Sequence, residues 1–113
     1  MIQKGLDEGA TLLTGGLGKP EGYKTGWYVK PTVFADVSNE MAIAQEEIFG
    51  PVLVIIPFKD ETEAISIAND SPYGLAAYIQ TGSATRAERV SSRLHAGALS
   101  LIHISEPTRL RSI

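Results

Sequence analysis

Five consecutive apolar residues, Val52-Leu53-Val54-Ile55-Ile56, would place side chains on both faces of an extended chain, so a strand here has no polar face to give to water. Such a strand calls for a helix layer on each side. The flanking sequence supplies candidates. Asp60 stands where an N-cap belongs, Glu63 follows three residues later as in a capping box, and Ala64, Ile65, Ile67 and Ala68 form an apolar face, which predicts a helix over residues 61–69. Asn69-Asp70-Ser71-Pro72-Tyr73-Gly74 interrupts the pattern, and residues 75–81 read as a second strand. Ser83 then caps a helix whose buried stripe is Ala87, Val90 and Leu94, Gly97 stops it, and residues 98–102 read as another strand. Strand, helix, strand, helix, strand across residues 51–102 predicts an α/β fold built on a mostly parallel, helix-covered sheet.

Upstream the signals are shorter. Ile2 and Leu6 share a helical face that Gly5 weakens and Gly9 ends, as if the helix had lost its front. Residues 10–14 read as a strand closed by the loop Gly15-Gly16-Leu17-Gly18-Lys19-Pro20. Trp27, Tyr28, Val29, Val33 and Phe34 favour extended chain, and Pro31 breaks it, which predicts two short strands over residues 23–37. Residues 38–46 read as a turn or a single helical turn.

With 113 residues the chain has room for one small domain at most. Its formal net charge of -3 leaves no basic surplus for phosphates, which excludes nucleic acid as a partner. The longest apolar stretch, residues 51–58, falls well short of the roughly 20 residues that span a bilayer, and residues 1–4 do not lead into a signal-peptide core. A soluble, cytoplasmic chain is expected. The absence of cysteine removes disulfides, thiolate metal sites and thiol nucleophiles together.

Few residue groups carry chemistry. Gly16-Leu17-Gly18-Lys19 fails as a phosphate loop, because Leu13 occupies the position of the required earlier glycine and Pro20 replaces the hydroxyl residue. His95 and His103 lack cysteine partners and a common helical face, so no metal site is expected. Asp60, Glu61 and Glu63 are explained by capping and by the favourable charge at a helix start. Glu46-Glu47-Ile48-Phe49-Gly50-Pro51 differs, since it sets acids beside an aromatic and a glycine in a turn at a strand edge, where backbone can approach a ligand. A plain structural turn is the competing reading.

From Gly5 to about Leu99 the chain resembles the aldehyde dehydrogenase superfamily, in the C-terminal part of its catalytic domain. The resemblance rests on Gly26-Trp27-Tyr28-Val29-Lys30-Pro31-Thr32-Val33-Phe34, Glu46-Glu47-Ile48-Phe49-Gly50-Pro51-Val52 and Ala68-Asn69-Asp70-Ser71-Pro72-Tyr73-Gly74-Leu75, in that order and at family separations. It implies an incomplete aldehyde dehydrogenase catalytic domain, a partial, mostly parallel βαβ sheet with covering helices. It also implies oxidation of an aldehyde to a carboxylic acid with NAD or NADP, by a cysteine nucleophile and a glutamate-activated water, in a homo-oligomer. By the same resemblance Glu47 accepts hydrogen bonds from the nicotinamide ribose hydroxyls, and Phe49 packs beside the nicotinamide. Two carboxylate oxygens suit two hydroxyl donors.

The resemblance also has limits. The family's cysteine, its general base and its glycine-containing cofactor domain lie upstream of this region and have no counterpart here, so the chain assigns no catalytic residue and is expected to be inactive alone. After Ala96-Gly97-Ala98-Leu99 the family continues with an asparagine and a later Pro-Phe-Gly-Gly run, which this chain lacks. Residues 1–101 are thus expected to form the catalytic-domain fragment and residues 102–113 an unrelated, non-native tail. The alternative is a free-standing, non-catalytic α/β module for interaction or oligomerisation. Stable, monodisperse folding would favour it, whereas an upstream coding sequence with the cysteine would exclude it.

Overall fold

The computed structural model describes residues 1–103. They belong to two compact units, one comprising Met1–Pro57 and the other beginning at Phe58. The first unit runs α1 (Ile2–Asp7), β1 (Thr11–Thr14), β2 (Thr32–Ala35), α2 (Ala42–Gln45) and β3 (Val52–Val54). Its sheet has the order β1-β2-β3, with β1 antiparallel and β3 parallel to β2. Phe34 sits at the middle of β2, facing Leu12 on one side and Val54 on the other. Its ring is fully buried with Ala10, Val37 and Ile43, and Ile48, Val52, Val54 and Ile56 pack around that cluster.

Glycine placement explains how α1 closes over this core. A Cβ on Gly5 would lie 2.9 Å from Ile43 Cδ1 and 3.2 Å from Phe34 Cζ, so the absence of a side chain lets helix and core approach. The residue read from sequence as a helix weakener is therefore a packing contact. Gly15, at φ 82°, is tighter still: a Cβ would meet the Pro31 carbonyl oxygen at 2.2 Å and Thr32 Cα at 2.7 Å. There the β1 exit presses on the β2 entry.

Two expectations for this unit are corrected. Residues 23–37 form one strand instead of two, because the chain turns at Gly22 and Gly26, both at positive φ, and the Tyr23 and Tyr28 rings meet with centroids 4.5 Å apart. Trp27, 99% exposed, lies in that loop. The apolar run at β3 is covered on one face only: Val52, Val54 and Ile56 pack on the core, while Leu53 is 59% exposed. The strand's outer face has no covering layer among the described residues of this unit.

The second unit contains α3 (Glu61–Asn69), β4 (Ala76–Thr81), α4 (Ala84–Ser91) and β5 (Ala98–His103). Here β4, α4 and β5 form the expected βαβ unit, with Ala76 to Thr81 paired in parallel register to Ala98 to His103. The α/β class is as predicted, and the strands form a three-stranded sheet, β1-β2-β3, and a two-stranded sheet, β4-β5. Ile102 and His103, assigned to a tail from sequence, pair with Gln80 and Thr81. The rest of the tail, residues 104–113, lies outside the described residues.

Helix ends in this unit follow their caps. Asp60 Oδ1 accepts from the Glu63 N–H at 2.8 Å, and Glu63 reaches back to the Lys59 N–H at 2.7 Å, a capping box displaced by one residue at its return arm. Ser83 Oγ accepts from the Arg86 N–H at 3.2 Å. Beyond α4, the Asn69 amide donates to the Arg93 carbonyl and accepts from the His95 N–H, both at 2.9 Å, tying the end of α3 to the segment that enters β5. Arg89 donates two hydrogen bonds of 2.7 Å to Glu61, and Arg86 lies 3.4 Å from the same carboxylate. The Arg89 hydrogen bonds, with the nearby guanidinium charges, hold the Glu61 carboxyl below its ordinary value.

Two outcomes are expected. Gly15→Ala should destabilise the chain by roughly 2 kcal/mol or more, since overpacking against backbone adds to left-handed strain. Gly18→Ala, at φ 83° with open space around it, should lose only about 1 kcal/mol, the strain alone. Denaturant titration of the two variants tests the difference. For Glu61, a depressed folded-state pKa means that its contribution is fully present above the unfolded glutamate value, about 4.3, and is lost as pH falls through the folded value. The melting temperatures of the wild type and Glu61→Gln should therefore differ most near neutrality and converge in acid. A gap that widens in acid would contradict the pairing.

Candidate functional site

The candidate site begins where α2 ends. Glu46 leaves the helix at φ −107° and ψ 138°, an extended conformation. Ile48 then packs against the Phe34 cluster and anchors the turn from below. Phe49 adopts φ 59°, in the left-handed region that favours glycine, and its ring is 92% exposed. The turn is fastened on its far side, where the Val52 N–H donates to the Gly50 carbonyl and the Thr32 N–H to the Pro51 carbonyl, both at 2.8 Å. A bulky residue in a strained backbone with an exposed ring is an arrangement that side-chain burial does not explain.

Phe49 stands on the wall of an open cleft of about 440 Å³, together with Leu17, Val29, Ile48, Pro51 and the start of α1. Glu47 is exposed and adjoins this wall without belonging to it. The two residues singled out from sequence are thus neighbours in one turn, but only Phe49 lines the cleft. Lys4 Nζ lies 3.4 Å from Glu46 Oε1. Sequence reading did not find Leu17 and Val29, which come from a loop whose path no periodicity encodes. Nor did it find Glu8, whose carboxylate meets the start of α2 from a distant part of the chain.

The other candidates have structural roles. The Gly16 N–H donates to the buried Thr32 hydroxyl at 3.0 Å, and Lys19 Nζ to the Lys24 carbonyl at 3.0 Å, so this glycine loop is tied to its own neighbours. Among the described residues no three His, Cys, Asp or Glu side chains converge as metal ligands, and no helix is long and apolar enough to cross a membrane.

Comparison with known proteins agrees with the motifs that frame this turn. The aldehyde dehydrogenase family profile matches residues 1–109. A 3-succinoylsemialdehyde-pyridine dehydrogenase from a Pseudomonas species is 53% identical over 100 residues, which is 88% of this chain and 21% of that protein. The crystal structure of a Mycobacterium tuberculosis aldehyde dehydrogenase complexed with NAD+ superposes with a TM-score of 0.85 at 52% identity, covering 88% of this chain and 20% of that one. A mutant of aldehyde dehydrogenase C from Pseudomonas syringae, complexed with NAD+ and octanal, gives 0.88 at 46% identity, covering 92% and 21%. The chain belongs to the aldehyde dehydrogenase family. It spans about a fifth of the length of these relatives.

The strain at Phe49 can be read directly. Because the ring is exposed, Phe49→Ala should leave stability almost unchanged, whereas Phe49→Gly should stabilise the chain by about 1 kcal/mol through release of the left-handed penalty. Thermal melts of the two variants decide it. Equal melting temperatures would mean that the strain released does not exceed the extra chain entropy that glycine loses on folding.

Proposed function

We propose that this chain supplies the nicotinamide-side wall of the cofactor site in an NAD- or NADP-dependent aldehyde dehydrogenase, an oxidoreductase that converts an aldehyde to a carboxylic acid. The observation that carries the reading is Phe49, held at φ 59° with its ring exposed on the cleft wall, two residues from the exposed Glu47. The residues fit the group. Leu17, Val29, Pro51 and the Phe49 ring present apolar surface to a flat heterocycle, and the Glu47 carboxylate offers two acceptor oxygens to a ribose diol. When bound, the cofactor supplies the hydride acceptor; Glu47 holds its ribose by charge-assisted hydrogen bonds, and Phe49 limits the positions the ring can take. Relatives solved in complex with NAD+ support this reading.

The chain contains no cysteine, so the reading assigns the nucleophile to segments other than those this chain matches, and the chain alone forms no product. The complete protein is read as a homo-oligomeric cytoplasmic enzyme. In a complete dehydrogenase carrying this segment, Glu47→Gln should lower kcat or raise KM for the cofactor by roughly 10-fold or more, the scale of a lost charged hydrogen bond. Glu46→Gln should have the smaller effect, because Glu46 lies against Lys4 and would act on the cofactor only through the placement of the turn. Equal, small effects from both would reduce Glu47 to a structural turn acid.

A further inference from the structure

Helix α2 is only four residues long and has no side-chain cap of its own, because its N-cap residue is Met41. A helix this short cannot hold its own conformation or direction, yet the turn that carries Glu47 and Phe49 leaves directly from its end. Both ends of α2 are held from α1 and from Glu8, the residue at the C-cap of α1. Glu8, 34 residues away in sequence, accepts the Ala42 N–H with both carboxylate oxygens, at 3.1 and 3.0 Å, and so supplies the acceptor that Met41 lacks. One turn back along α1, Lys4 Nζ lies 3.4 Å from Glu46 Oε1 at the far end of α2. Between them Gly5 has no Cβ and admits Ile43, the buried residue of α2, to close contact.

We infer that α1 acts as a template for α2 and that Glu8 is a positioning residue for the cofactor-side turn. The inference rests on the reading of Glu47 and Phe49 given above. A carboxylate at the start of α2 also meets the positive end of the peptide dipoles, so charge and hydrogen bonding favour one placement of the helix. Lys4 lies against Glu46, and successive residues of an extended backbone point to opposite sides.

The test on the 113-residue chain is amide hydrogen exchange, resolved residue by residue by NMR, for wild type, Glu8→Ala and Glu8→Gln. In Glu8→Ala exchange should accelerate on the order of 10-fold at Ala42, at Glu46, whose N–H bonds the Ala42 carbonyl, and at Val52, whose N–H bonds the Gly50 carbonyl across the turn. The Thr11 to Thr14 strand and the capped Glu63 N–H should not change. Glu8→Gln keeps a side-chain acceptor and should retain most of the protection. Acceleration at Ala42 alone, or equal acceleration throughout residues 1–57, would overturn the inference, the first because nothing reaches the turn and the second because Glu8 would be a general stabiliser. In a complete dehydrogenase carrying this segment, Glu8→Ala should raise KM for NAD+ several-fold more than it lowers kcat. An unchanged KM, where Glu47→Gln does raise it, would overturn positioning by Glu8. If Glu47→Gln itself has no effect, the cofactor reading falls, and the exchange pattern still decides whether Glu8 orders the turn.

Discussion

Phe34 sets the geometry of the first unit. Its backbone sits between β1 and β3 and its carbonyl accepts the Ile55 N–H at 2.8 Å, so three strand segments are registered on one residue. Burying a ring of this size contributes roughly 1.5–3 kcal/mol, but its larger effect is on position. Under α1 the ring lies beside the Ile43 side chain, so a methyl group at position 5 would stand 3.2 Å from Phe34 Cζ and 2.9 Å from Ile43 Cδ1. Ile43 shares that space and brings α2 with it. The placement of residues 46–51 is therefore inherited from the core, through a short helix that would not form alone.

What was legible in the sequence was what local chemistry decides. Helix α3 follows its Asp60 cap and ends where expected, and α4 follows Ser83, because a cap and an apolar stripe are encoded within a few residues. Features that depend on distant contact were not legible. The Trp27-Tyr28-Val29 run has the composition of a strand and forms none, since two glycines at positive φ and an aromatic pair fold the segment on itself. Likewise the apolar run at β3 predicts two covered faces, but Leu53 lies open to solvent. Hydrophobicity reports the burial a side chain favours, while strand pairing decides what it receives.

The candidate site divides along the same line. Its acids, aromatic and glycine were visible as a local cluster, and three ordered motifs tied that cluster to a family. The left-handed backbone at Phe49 was not visible, because nothing in its side chain favours that conformation. Neither was the pairing of Glu46 with a lysine on another helix. Glu8 was invisible for the same reason: a helix cap is ordinarily sought beside the helix it serves, and this one arrives from 34 residues upstream.

Asn69 illustrates how narrow such a long-range constraint becomes. Its side chain must donate to the Arg93 carbonyl and accept from the His95 N–H at one reach, with no net charge. Aspartate could receive the second bond, but it would turn a negative oxygen toward a carbonyl; serine is too short, and glutamine carries its amide one carbon too far. Chemical ageing of that amide would therefore change more than its charge. It would convert a matched donor and acceptor into two acceptors and release the approach to β5 from the end of α3, so a single lost ammonia would be read out as a loosened strand.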